Sequence, residues 1–281
     1  MKKDLISVIM AVYNCASTLN EAIDSILNQT YTNWEFIICD DCSTDNTLEI
    51  VREYEKKYPK KFKVIQNEVN SKLSFSLNHC LKYADGEFIA RMDGDDISVP
   101  DRFEKQVNYL REHPDVDLVS TLVQRFEGDK LADIIKKPEF PDRYTQRNHV
   151  AFNHATIMTY KYVYDKCGGY TVSKRTVRAQ DYDLWFRFFY HNFKGVNLQE
   201  PLYLMREDMS AIKRRTFKVR FNAYRTTIKG FRLLKYPIRW YIKPTITFIV
   251  KGLTPNFITY KHRQKQAKKV EQNKRSSKNV I

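Results

Sequence analysis

Short apolar, β-branched runs alternate with helical patterns through the first part of the chain, and this alternation narrows the choice of fold more than any other feature. Leu5 to Val12, Trp34 to Cys39, Phe62 to Ile65 and Glu87 to Arg91 read as strands, short and rich in Ile, Val and Phe. Helices fall between them. Thr18-x-x-Glu21 reads as a capping box ahead of an apolar face at Ala22, Ile23, Ile26 and Leu27. Leu48, Val51 and Tyr54 mark a second helix, and Leu73, Leu77, Cys80, Leu81 and Ala84 a third. Pro100 suits a first helical position before Phe103, Val107 and Leu110. The expected fold class is therefore α/β, a mostly parallel central sheet with helices on both faces. The second half is less regular. Val116 to Val123 and Ala155 to Met158 read as strands, Gly168-Gly169 as a turn, and Asp181 to Phe186 as the start of an aromatic helix with acids in its first turn.

Sheets of this kind bind ligands at the carboxyl ends of their strands. Three polar features sit at such ends: Tyr13-Asn14, Asp40-Asp41 and Asp93-Gly94-Asp95-Asp96. The last crowds three carboxylates into four positions. Like charges this close repel, and a divalent cation relieves them, since hard oxygen ligands suit Mg²⁺ or Mn²⁺. A metal held there by few protein oxygens has room for substrate phosphates. Taken alone, the cluster reads equally well as a solvated acidic loop before a helix. Its meeting with two other polar strand ends favours a common site.

The chain has 281 residues, 42% of them hydrophobic, enough for one large domain or two small ones with a proper core. Five scattered cysteines, Cys15, Cys39, Cys42, Cys80 and Cys167, suggest reduced thiols and a cytoplasmic setting. Cys39-x-x-Cys42 has no second pair to complete a zinc site. The start resembles a signal peptide superficially, but Asp4 interrupts it and no small-residue cleavage site follows. No run of about 18 apolar residues occurs, so no ordinary transmembrane helix is expected. The net charge of +15 is uneven: residues 211–281 carry 20 Lys+Arg and one acid, Glu271, while the preceding part carries 28 bases and 32 acids. An acidic-neutral body with a basic tail argues against a nucleic-acid enzyme, whose cleft would itself be basic.

Five motifs in this order resemble the family 2 glycosyltransferases of bacterial polysaccharide synthesis, with the GT-A nucleotide-diphospho-sugar fold. They are Ser7-Val-Ile-Met-Ala-Val-Tyr13-Asn14, Trp34 to Asp45, Asp85 to Asp96, Pro100-Asp-Arg102 and Ala179-Gln-Asp181-Tyr-Asp-Leu-Trp185. The likeness spans about residues 4 to 208 and is nearest to the exopolysaccharide enzymes of biofilm-forming Gram-positive bacteria, with Lys213-Arg214-Arg215 also shared. It implies a catalytic domain over 1–210, divided into a nucleotide-sugar half (1–98) and an acceptor half (99–210), followed by a basic region over 211–281. It further implies roles. Asp41 falls where the family contacts uracil, Tyr13 stacks near the base, and Lys72 falls at a basic donor contact. Asp95 matches the metal-binding acid, Asp93 holds the ribose or shares the cation, and Asp181 matches the general base. Cys42 stands where Gly, Ala or Asn is usual, and Gln180 where Glu is common.

Sugar transfer needs such groups. A nucleotide diphosphate leaves with developing negative charge, which a divalent cation stabilises. The acceptor hydroxyl is a poor nucleophile, and a carboxylate that takes its proton, Asp181, implies an inverting enzyme. Without the resemblance Asp181 reads as an ordinary helix N-terminal acid, with Asp183 as its structural neighbour. His154 suits the acceptor, the metal or a plain structural role. Arg206 and the run Lys213-Arg214-Arg215 suit a diphosphate or a membrane-facing basic helix. Apolar residues among bases from about 216 to 260, kinked at Pro237 and Pro244, read as amphipathic helices in a membrane interface, with a partly disordered end. The expected partners are a UDP-sugar donor, a lipid-linked acceptor, an anionic membrane surface on the cytoplasmic side and polysaccharide-assembly proteins. The rival reading is a degenerate scaffold of the same fold, docking a membrane complex through its basic end.

Overall fold

The computed structural model describes residues 1–128, 130–207 and 216–253. A seven-stranded sheet forms its centre, in the order β10-β6-β9-β4-β1-β2-β3. Its strands are β1 (Lys2–Val12), β2 (Trp34–Asp40), β3 (Phe62–Gln66), β4 (Gly86–Arg91), β6 (Leu118–Thr121), β9 (Met158–Tyr160) and β10 (Gly195–Leu198). β1 to β4 run parallel, and only β9 opposes its neighbours. Side chains alternate across β1: Ile6, Val8, Met10 and Val12 enter one core, and Ile9 enters the other. The first core lies under α1 (Leu19–Leu27), α2 (Thr47–Lys57) and α4 (Arg102–Glu112). The second lies under α3 (Leu73–Leu81), α6 (Lys161–Cys167) and α7 (Gln180–Tyr190), filled by Trp185, Phe186, Phe188 and Phe189, with α5 (Arg143–Asn148) tied to α7 between Gln146 and Tyr182. The sheet is thus covered on both faces, as the alternation predicts.

A second sheet of four strands, β5-β11-β7-β8, packs beside it. It pairs β5 (Ile97–Ser98), β11 (Tyr203–Arg206), β7 (Val123–Glu127) and β8 (Lys130–Ile135), which come from distant parts of the chain. The expected single strand from Val116 to Val123 therefore breaks. The Leu122 amide donates to the Leu198 and Glu200 carbonyls, and the chain leaves one sheet for the other there. Two helix starts also differ from expectation. The Thr18 hydroxyl donates to the Gly94 carbonyl at 2.9 Å instead of capping α1, and Glu21 pairs with Arg206. Pro100 precedes Asp101, the N-cap of α4, and its carbonyl accepts from Thr30. Gly86 opens β4 where a Cβ would lie 2.5 Å from the Leu5 carbonyl, so its smallness serves strand approach.

The basic region begins, among the described residues, with a helix Phe217–Leu233 whose Phe231 is buried, with Leu234 and Tyr236 beyond its end, in the second core. Gly230 lets this helix approach Phe186 of α7, where any Cβ would collide with the ring. A short 3₁₀ turn, Ile238–Tyr241, and a helix Ile242–Leu253 follow. No helix among the described residues is long and apolar enough to cross a membrane. All five cysteines are free thiols.

Candidate active site

Strand register builds the site. Val12 pairs with Asp40 and Asp40 with Gln66, while Arg91 pairs with Ile9, so the polar residues after β1, β2, β3 and β4 emerge on one edge. On the β2–β3 side, Asp41 is buried and fully engaged. It accepts from Asn67 Nδ2 at 2.7 Å and from the backbone amides of Ser71 and Lys72 at 2.8 Å. One carboxylate thereby ties the ends of β2 and β3 to the start of α3. The Lys72 side chain is exposed and donates to Asn70 at 2.6 Å, and its φ of +72° lies in the left-handed region. Tyr13 is 47% exposed at the end of β1, open to a planar ligand. Beside it, Asn14 holds the 43–44 loop: its amide donates to Ser43 Oγ, and its side chain exchanges hydrogen bonds with Thr44. Cys42 has φ +62°, which explains why a residue tolerant of left-handed backbone suits this position.

The acidic side gathers oxygens from Asp93, Asp95 and Asp96 within 4.8 Å of one another. They differ in setting: Asp93 is half-buried, Asp95 exposed and Asp96 buried. The buried Arg91 grips Asp93 in a two-point pair, with Nη1 to Oδ2 at 2.8 Å and Nη2 to Oδ1. Burial disfavours the Arg91 charge, but Asp93, with Tyr170 and Tyr203, holds its pKa above the usual value. Asp96 accepts from the Arg206 amide at 2.9 Å, and Arg206 Nε donates to the Asp95 carbonyl at 3.0 Å. Burial, then the charges of Asp93 and Asp95, push the Asp96 carboxyl well above its ordinary range. Three hard carboxylates in a graded pocket, the outermost facing solvent, fit a divalent cation of the Mg²⁺ or Mn²⁺ kind. Tyr203, fully buried on β11, approaches the same cluster through its hydroxyl, which accepts from the Asp93 amide at 3.1 Å.

The third side is the start of α7. Asp181 Oδ1 accepts the Tyr182 amide at 2.8 Å. Burial raises its pKa, against the Tyr182 amide and the positive charges of Arg91 and Lys137. Arg91 thus acts electrostatically on both Asp93, which it grips directly, and Asp181. Asp183, by contrast, bonds Thr171, Arg175 and Arg187. Burial alone would raise its carboxyl, but these three partners hold it below the ordinary range, so it serves the local structure. His154 Nε2 bonds the Tyr170 hydroxyl at 2.8 Å, and its ring lies against Trp185. Burial and then Arg91 keep it neutral, and it is not among the clustered carboxylates.

Of the residues expected at the site, Tyr13, Asp41, Lys72, Asp93 and Asp95 share the strand-end edge, while Asp181 and His154 bond to Tyr182 and Tyr170 and are linked to Arg91 through its charge alone. Arg206 lies on the acid cluster at the end of β11, not on a basic helix. Arg214 and Arg215 lie outside the described residues. Sequence reasoning passed over Arg91, Asn67, Lys137 and Tyr203. Arg91 did leave a signal: a lone charge in the run Phe88-Ile89-Ala90-Arg91-Met92, where a buried strand has no other use for it.

Comparison with known proteins gives this geometry a family. The model of "Glycosyl transferase family 2" matches residues 7–178, ending just before Asp181. The putative glycosyltransferase EpsE of Bacillus subtilis (strain 168) is 44% identical over 256 residues, covering 89% of this chain and 91% of that protein. The Escherichia coli UDP-Glc:alpha-D-GlcNAc-diphosphoundecaprenol beta-1,3-glucosyltransferase WfgD is 30% identical over 215 residues, covering 76% of this chain and 81% of that protein. Among solved structures, S. aureus TarS 1-349 in complex with UDP-GlcNAc superposes with a TM-score of 0.63 at 19% identity, covering 89% of this chain and 81% of that one. The mannosyltransferase PcManGT from Pyrobaculum calidifontis, in complex with GDP-Man and Mn²⁺, gives a TM-score of 0.59 at 17% identity, covering 93% of this chain and 80% of that one. These two likenesses speak to the fold. With a family model over most of its length and a relative so similar end to end, the chain belongs to glycosyl transferase family 2 and is a glycosyltransferase of GT-A fold.

Proposed function

We propose that the chain is an inverting, metal-dependent transferase that moves a sugar from a UDP-sugar to a lipid-linked or growing exopolysaccharide or capsule acceptor at the cytoplasmic face of the membrane. The observation that carries this reading is the cluster of Asp93, Asp95 and Asp96 oxygens within 4.8 Å of one another, at the sheet edge where Asp41 and Tyr13 emerge. Asp41 organises the base pocket, Tyr13 offers a ring to stack on the uracil, and Lys72 stands at the pocket rim near the phosphates. Asp95 and Asp93 would hold Mg²⁺ or Mn²⁺, which supplies Lewis-acid stabilisation of the departing diphosphate. Arg91 fixes the Asp93 carboxylate in one orientation, so that positioning costs little reorganisation during transfer. Arg206 adds positive charge beside Asp95.

Asp181 takes the proton of the acceptor hydroxyl as its oxygen bonds to the anomeric carbon. The bond from that carbon to the diphosphate breaks, its electron pair leaves on the diphosphate oxygen, and the anomeric configuration inverts. The raised pKa of Asp181 makes it a stronger base than a solvated carboxylate. The name of WfgD includes a UDP donor and a diphosphoundecaprenol acceptor, which favours the same classes here. The basic end of the chain suits an anionic leaflet, where such an acceptor resides. His154 supports the acceptor side through Tyr170, and the 213–215 bases, with Arg214 and Arg215, stand as further diphosphate or membrane contacts.

A panel of nucleotide sugars, tested for thermal stabilisation and slow donor hydrolysis with and without Mn²⁺, examines this reading. Stabilisation and hydrolysis by one UDP-sugar that need the cation support it. No response to any member of the panel overturns it.

A further inference from the structure

The helix Ile242–Leu253 is two-faced in an unusual sense. Its inward side is aromatic and packed: Phe248 stacks on Tyr224 at 4.8 Å and 15° between planes, and Thr245 Oγ1 bonds the Tyr224 hydroxyl. Its outward side is aliphatic and bare. Ile242 is 59% exposed, Ile246 55%, Ile249 50% and Val250 56%, and Ile238 in the preceding turn is 86% exposed. The spacing 242, 246, 249, 250 places the four helical residues on one stripe of an α-helix. Phe217 and Phe221 reach Phe248 on the inward side and are themselves exposed. A contiguous bare patch of this kind marks an interaction surface.

Charge identifies the partner. Residues 216–253 contain nine bases and no acid. Lys229, Arg232, Lys235, Arg239 and Lys243 are exposed. An aliphatic stripe flanked by bases, on a helix too short to span a bilayer, is the pattern of an interfacial helix on anionic lipid. We propose that Ile238, Ile242, Ile246, Ile249 and Val250 insert into the headgroup–acyl boundary of an anionic bilayer, with the flanking bases on the lipid phosphates. This rests on the membrane location given above and deepens it: the five named side chains form the inserting stripe, where the sequence offers only amphipathic helices between about 216 and 260. The helix Phe217–Leu233 connects this surface to α7 through Gly230 and Phe186. The inserted stripe would therefore be held in a fixed relation to Asp181, so that a lipid-borne acceptor could be presented to the base.

The test is sedimentation of the full chain with vesicles of phosphatidylglycerol and phosphatidylcholine, against pure phosphatidylcholine. The wild type should bind the anionic vesicles. The double variant Ile246→Ser/Ile249→Ser, at exposed positions, should keep its melting temperature and its UDP-sugar hydrolysis while its vesicle affinity falls about tenfold or more. Equal vesicle binding by the variant overturns insertion, since adsorption through charge would then suffice. No vesicle binding by the wild type also overturns it. So does an apolar self-association or capture of an acidic protein that the variant abolishes while vesicle binding is unchanged. Absent donor hydrolysis in the wild type would sink the transferase reading alone and leave the vesicle result standing.

Discussion

At the level of residues, a single buried guanidinium sets the charge felt by two acids. Arg91 holds Asp93 in a two-point pair and pulls down the pKa of Asp181, which burial raises. Replacing Asp181 by Asn should leave UDP and Mn²⁺ affinities intact and cut transfer by about 10²–10⁴-fold, the usual contribution of a positioned base. Steady-state kinetics beside calorimetric UDP binding separates the two effects; undiminished turnover would remove Asp181 from the mechanism. The pH profile gives a second handle. A base works when deprotonated, so activity should rise as pH passes upward through the Asp181 pKa, which burial raises. The charge of Lys137 lowers that pKa, and Lys137→Met should therefore move the acid limb to higher pH with the plateau rate largely kept. A limb that stays in place or moves down would show that Lys137 does not act on the base. Much of this was legible: the carboxylates announce themselves by crowding at strand ends. Arg91 and Lys137 were not, because their effect depends on burial and on partners that only folding brings near.

Among the elements, legibility followed locality. β1 to β4 and the helices between them are written in contiguous runs, so periodicity finds them. The four-stranded sheet is assembled from β5, a two-residue strand, and β11, over a hundred positions later, and no local pattern signals such pairing. Helix starts failed for a related reason. Thr18 and Glu21 have the residue types of a capping box, but Gly94 and Arg206 compete for them as long-range partners. The contact of the helix Phe217–Leu233 with α7 is a further long-range feature, and at Gly230 it leaves no room for a Cβ against Phe186. Gly230→Ala should force the helix from Phe186 and lower stability by about 1–3 kcal/mol, the range of overpacked sites. Chemical denaturation would read this directly; an unchanged midpoint would mean the contact is looser than described.

For the whole molecule, the charge split divides the chain differently from the packing. The basic region begins near residue 211 by composition, yet Phe231, Leu234 and Tyr236 belong to the buried core. A chain ending after Tyr236 should retain its fold and donor hydrolysis while losing vesicle binding. One ending at residue 215 should melt at lower temperature, because losing a single buried Phe costs about 3–5 kcal/mol. Equal melting of both truncations would contradict this division.

The central claim is that carboxylates at one sheet edge bind a uridine diphosphate through a shared divalent cation. Titration calorimetry of UDP into the wild type and into Asp95→Asn, each with Mn²⁺ and with chelator, tests it most directly. The expected result is at least about tenfold tighter UDP binding with Mn²⁺ in the wild type, with most of that gain lost in Asp95→Asn. The same affinity in all four titrations would contradict the account.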